Sequence, residues 1–142
     1  MAELFPDEGL DALLTVFPKN GANYANLWAG LFTSQTASAV MSRTGTLSAC
    51  IVEPAGGAYT RMPVAASGWG APSTSGNGRK VTNAQITFPT ATAPWGTVNG
   101  FFLGSASVAG VCVYQANFDD NTGNNVGVND QQKVTPSMQF DG

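Results

Sequence analysis

Leu27-Trp28-Ala29-Gly30-Leu31-Phe32-Thr33 is apolar at nearly every position. A strand that buries one face alternates apolar and polar residues, whereas one that is apolar on both faces is central and covered on both sides. From Asn20 onward, other short apolar runs surround this stretch, separated by Gly, Pro, Asn and Ser, which is the pattern of an all-β sandwich or barrel. Further strands are expected at residues 47–52, 58–65, 80–88, 98–104, 110–117 and 132–140. With the first they make about seven, enough for two packed sheets. The turns between them carry fitting chemistry: Pro54-Ala55-Gly56-Gly57, Gly68-Trp69-Gly70 leading to Pro72 and Gly78, and residues 89–96. The reading is an all-β fold, a two-sheet, jelly-roll-like β-sandwich forming a single domain over residues 1–142, with no fixed-period repeat of the kind that marks a solenoid or propeller.

Residues 1–19 read differently. Leu10, Leu13, Leu14 and Phe17 fall at i, i+3, i+4 and i+7, one apolar stripe of a short N-terminal α-helix. Asp7 and Glu8 sit near its positive end, Pro6 suits its first turn and Pro18 closes it. Such a helix is marginal alone and must dock its stripe on the domain's own sheet or on a neighbour.

The chain has 142 residues, 43% hydrophobic and 11% charged, a composition too apolar and too weakly charged for a disordered polymer. A net charge of −3 argues against duplex nucleic acid, whose binding needs clustered Lys and Arg, and here Arg79 and Lys80 are the sole adjacent pair. No apolar run approaches the ~18 residues of a membrane helix, and acidic Glu3, Asp7 and Glu8 stand where a secretory leader is basic. Cys50 and Cys112 lie in apolar, β-branched surroundings and are expected as reduced core thiols.

Histidine is absent, which removes Ser-His-Asp and Cys-His nucleophiles, His-based zinc sites and the commonest neutral-pH base. Carboxylates available for acid-base work are Glu53, Asp119, Asp120, Asp130 and Asp141, with no sign that any two converge, so they read as solvated loop and edge groups. Residues 119–130 share only composition with a calcium loop. Asp119, Asn121 and Gly123 alternate, but the glycine comes early and no bidentate Glu follows, so the stretch reads as a polar hairpin or strand connection. No phosphate-cradling glycine motif occurs. The expectation is a non-enzymatic protein with no catalytic residues, no metal and no cofactor.

Among the aromatics, Trp28, Phe32 and Tyr114 belong to expected strands and to the core. Trp69 and Trp95 are flanked by Gly or Pro in expected loops, which makes them candidate interface anchors or sugar-stacking platforms.

The order of three segments is similar to that of a family of small tailed-phage virion proteins, described as tail-fibre-like and in part resembling capsid decoration or cement proteins. The segments are 27–34, then Gly56-Gly57-Ala58-Tyr59-Thr60-Arg61, then 81–98 with its Phe88-Pro89-x-Ala91-x-x-x-Trp95-Gly96-x-Val98 motif. The resemblance runs from about residue 8 to 116, and residues 117–131 are more polar than the family's usual glycine-rich hairpin. It implies a compact β-sandwich and a structural role in the virion. Because the chain lacks the repeats or heptads of a fibre shaft, the expected role is a capsid decoration (cement) protein on the capsid surface, a homotrimer bound to the major capsid protein or other virion proteins, with no nucleic acid and no membrane. The alternative is a tail-associated fibre or receptor-binding module. In either case Leu10, Leu13, Leu14, Trp69 and Trp95 are the expected protein-protein contacts.

Overall fold

The protein is seen here as a computed structural model that describes residues 3–4, 26–35, 47, 51–76, 78–118 and 123–140. Fourteen short strands are present among them: β1 (Glu3–Leu4), β2 (Leu27–Phe32), β3 (Ser34–Gln35), β4 (Ile51–Val52), β5 (Met62–Val64), β6 (Ser73–Ser75), β7 (Gly78–Thr82), β8 (Ile86–Thr87), β9 (Gly96–Val98), β10 (Gly100–Gly104), β11 (Cys112–Asn117), β12 (Asn124–Val126), β13 (Lys133–Val134) and β14 (Ser137–Phe140). The fold is mostly β, in several antiparallel sheets.

The largest sheet has the order β1-β11-β10-β2-β5. β2 lies inside it, with β10 on one side and β5 on the other, as its two apolar faces require. Ala29, Leu31, Phe101, Leu103, Tyr114 and Ala116 point to one face and join the main core. Phe32 and Phe102 point to the other, where they meet Leu47, Ile51 and Cys112 in a second, smaller core. Cys112 reaches that second core through a β-bulge. Leu103 pairs with Tyr114 but Gly104 pairs with Cys112, so Val113 is left over and the residue before it is turned to the opposite face. Cys112 is buried, as expected, and Cys50 lies outside the described residues.

The main core is closed by a long, irregular ribbon. Residues 78–98 run antiparallel to 124–140, with Thr82 beside Ser137, Thr87 beside Lys133 and Val98 beside Asn124. Between these paired stretches single backbone bonds continue the ladder, Phe88 N to Gln132 O, Ala91 N to Asp130 O and Trp95 N to Val126 O, each 2.9 Å. The first arm carries more residues than the second between the Thr82–Ser137 and Gly96–Val126 pairs, so it bulges at 83–85 and again through the prolines at 89 and 94. Pro136 splits the last strand, because a proline has no N–H for a ladder bond, while its carbonyl still accepts from Asn83 N at 2.8 Å.

These interruptions correct several expected boundaries. The strand expected at 80–88 divides into β7 and β8, and that at 132–140 into β13 and β14. The strand expected at 58–65 shortens to β5, because Gly56, Gly57 and Ala58 all take positive φ in a turn closed by Tyr59 N to Gly56 O at 3.0 Å. The polar stretch 119–130, expected as a polar hairpin or strand connection, contains β12, whose Val126 is buried in the main core. At the N-terminus, within the segment expected to be helical, Glu3 and Leu4 form a strand against Ala116 and Gln115, where the edge of β11 offers partners for extended backbone. The apolar stripe Leu10, Leu13, Leu14 and Phe17 lies outside the described residues.

Candidate functional site

The turn at 56–61 and the motif at 88–98 meet in space. Phe88, Ala91, Trp95 and Val98 are all buried in the main core, the inward positions of the ribbon's first arm. The Trp95 indole Nε1–H donates to Gly57 O at 2.8 Å, and Thr92 N donates to the same carbonyl at 3.1 Å. Gly57 has φ 58°, and a Cβ there would come within 2.6 Å of Ala93 O and 2.8 Å of Trp95 Nε1. Glycine is therefore required twice over, for its left-handed backbone and for the close approach of the indole. Tyr59 then stands edge-on to Trp95 at 5.5 Å between ring centroids and stacks on Phe88 at 6.3 Å.

Tyr59 also completes the large sheet. β5 reaches back only to Met62, opposite Ala29, so Leu31 N–H has no backbone partner from that strand. The Tyr59 hydroxyl accepts this N–H at 2.9 Å and donates to Glu53 Oε1 at 2.8 Å. Burial, first of all, pushes its ionisation well above the ordinary phenol range. The Leu31 hydrogen bond works against that shift and the Glu53 carboxylate reinforces it.

Arg61 is the centre of the arrangement, a cation only 7% exposed. Its Nε and one terminal nitrogen grip Glu53 as a fork, at 2.9 Å to Oε1 and 2.7 Å to Oε2. The other terminal nitrogen donates to Ala106 O at 2.8 Å and to Ala109 O at 2.7 Å, in the hairpin joining β10 to β11. Its guanidinium also lies 5.1 Å from the centroid of the Phe102 ring, within the ~6 Å range of a cation–π contact. One side chain thus joins the loop after β4, the start of β5, the central strand β10 and the hairpin.

Above the Arg61–Glu53 pair lies an open groove of about 590 Å³, whose walls include Val52, Pro54, Thr60, Ser107 and Val108. Val108 at the hairpin tip is 79% exposed. The groove is mainly apolar, and its two charges are matched to each other. Glu53 is held from two sides, by the Arg61 guanidinium and by the Tyr59 hydroxyl.

The residues expected to make contacts with other chains fare differently. Leu10, Leu13 and Leu14 lie outside the described residues. Trp95 is 5% exposed, with its ring in the main core and its indole bonded inside its own chain. Trp69 is half-buried, forms a backbone bridge with Asn83 and packs against the main core. Of the candidate carboxylates, Glu53 is paired with Arg61, and Asp130 accepts Gly127 N at 2.8 Å across a turn. Asp119, Asp120 and Asp141 lie outside the described residues, as do Asp119 and Asn121 of the calcium-loop spacing. Among the described residues no three His, Cys, Asp or Glu side chains gather as a metal would need. Sequence reasoning missed Arg61 as a site residue. Its one signal was the 56–61 segment itself, with an acid eight residues earlier.

A protein-family model described as Podophage GP4 fiber I protein gp80 matches residues 11–137. The chain belongs to that family, and so to the structural proteins of tailed-phage particles, in agreement with the resemblance carried by the 27–34, 56–61 and 88–98 segments. No curated protein matches it.

Proposed function

We propose that this chain is a non-enzymatic structural module of the phage tail, a fibre-associated domain that acts by fitting against other virion proteins. The observation that carries the reading is the family match to a podophage fibre protein over residues 11–137. It favours the tail-associated alternative over the capsid decoration role expected from the lack of repeats and heptads. The shape agrees with such a role. A sheet covered on one face by a ribbon, with a buried ion pair tying its loops, is a body that keeps its outline when other chains press on it. The ribbon and the five-stranded sheet are the two layers of the proposed jelly-roll-like sandwich.

Immunogold labelling of intact particles, followed by cryo-electron microscopy, tests this. Label and density confined to the tail support the fibre module. Density repeated over the icosahedral lattice would overturn it in favour of decoration. Light scattering on the purified chain tests the threefold assembly expected from sequence, with three chain masses as the supporting result.

A further inference from the structure

We propose that the 105–111 hairpin is a strap that the Arg61–Glu53 pair clasps shut over the second core, and that it swings open as a unit, with the ribbon intact, when the clasp loses its anion. Among the described residues the strap's own main-chain fastening is thin. Ser105 N donates to Val111 O at 3.1 Å and Val111 N to Ser105 Oγ at 3.0 Å, and Leu47 N reaches Gly110 O at 3.4 Å. The carbonyls of Ala106 and Ala109 both depend on a single nitrogen of Arg61. Ala109 is held at φ 53°, a left-handed conformation that an alanine leaves readily when released. At its base the register of β10 and β11 breaks at the bulge beyond Leu103, so opening need not propagate into the ladder. At its tip Val108 stands in solvent.

Glu53 is the one carboxylate paired with Arg61 among the described residues, and Tyr59 is the other titratable group that touches it. Without that negative charge Arg61 is a buried cation with no counterion, an arrangement far less stable than the pair. Its route back to water is outward through the groove, and leaving takes both hairpin donors with it. Regions whose backbone is held by few bonds open locally, well below the free energy of global unfolding. An open strap releases Leu47 N from Gly110 O and Arg61 from the Phe102 ring, and so exposes the second core to which Leu47, Phe102 and Cys112 belong.

Cys112 supplies the reporter, read in the full chain carrying Cys50→Ser so that one thiol remains. Labelling of Cys112 by a thiol reagent is compared between this chain and the same chain with Glu53→Gln, together with hydrogen exchange at the amides of Ser105 and Val111 and at those of Phe88, Ala91 and Trp95. Glu53→Gln should speed Cys112 labelling and Ser105 and Val111 exchange by roughly tenfold or more while the three ribbon amides stay within about twofold. Unchanged labelling, or equal acceleration of the ribbon, overturns the proposal. A second reading needs no clasp variant: with Glu53 in place, Ser105 and Val111 should already exchange faster than Phe88, Ala91 and Trp95, and equal rates would overturn it too.

Discussion

The ring of Phe102 occupies the space that a side chain at Gly30, its cross-strand partner, would need. Because β2 offers bare backbone there, the ring lies across the strand toward Arg61, whose guanidinium meets its centroid at 5.1 Å. Phe32 and Gly100 repeat the relationship with the strands exchanged, a Cβ on Gly100 coming within 2.5 Å of the Phe32 ring. Gly30→Ala should therefore force the ring off its seat and weaken the Arg61 contact. The expected loss is about 1–3 kcal/mol of stability, the usual range for overpacking, read as a lower denaturant midpoint with unchanged slope. A midpoint equal to the parent's would mean that the ring has another place to go.

Trp95 should matter as a fastener more than as a surface. Trp95→Phe removes the Nε1–H bond to Gly57 O and part of the ring, and should cost about 1–3 kcal/mol. Gly57→Ala should be of similar or greater effect, because the left-handed φ and the crowding by Ala93 O and the indole add. Urea unfolding of both variants checks this. If both unfold at the parent's midpoint, the two motifs are not joined as described.

Tyr59 predicts a dependence on alkaline pH. Its hydroxyl is held protonated in the folded chain, while in the unfolded chain it ionises around the ordinary value of 10.0. Its contribution is complete below that pH. Above it the unfolded chain gives up a proton that the folded one keeps, so stability falls as pH rises, by up to about 1.4 kcal/mol per pH unit. Tyr59→Phe should be less stable at neutral pH, because Leu31 N–H loses its partner, yet lose less between pH 9 and about 11. Parallel curves for parent and variant would contradict the assignment.

The turn at 127–130 depends on a single carboxylate. Asp130 Oδ2 accepts Gly127 N at 2.8 Å, and the Asp130 carbonyl accepts Ala91 N at 2.9 Å, which holds the ribbon's register. Asp130→Ala should cost about 0.5–1.5 kcal/mol, the worth of one exposed bond, and raise hydrogen exchange at Gly127 and Ala91 before other sites.

The parts legible in the sequence were those governed by local pattern. A run apolar on both faces is central wherever it occurs, and β2 is central. The spacing of Phe88, Ala91, Trp95 and Val98 carried the family resemblance, yet their common inward direction was not visible, because a run broken by Pro89 and Pro94 has neither the period of a strand nor that of a helix. For the same reason Trp95 read as a loop residue free to face a partner. Its indole is committed to a carbonyl 38 residues away, and only the fold brings the two together. Arg61 escaped for a related cause. Nothing local tells a buried arginine from an exposed one, since its burial depends on Glu53 and on two carbonyls of a distant hairpin. β12 was hidden by composition, as Asn124 and Asn125 are loop-like residues that form a strand only because β9 supplies the other half of the ladder.

The two arms of the ribbon are separated in the chain by β10 and β11, so the second arm of the main core's lid leaves the ribosome after the sheet that it covers. Until residues 124–140 are available, Phe88, Ala91 and Trp95 lack the carbonyls of Gln132, Asp130 and Val126, and although β6 already pairs β7, β8 and β9 wait for β13 and β12. A nascent chain stopped short would present a greasy, half-closed surface, and long-range closure of this kind comes late in folding. The ribbon therefore acts as a check on synthesis: this domain acquires its outline, the one other virion proteins would meet, only once β14 has been made.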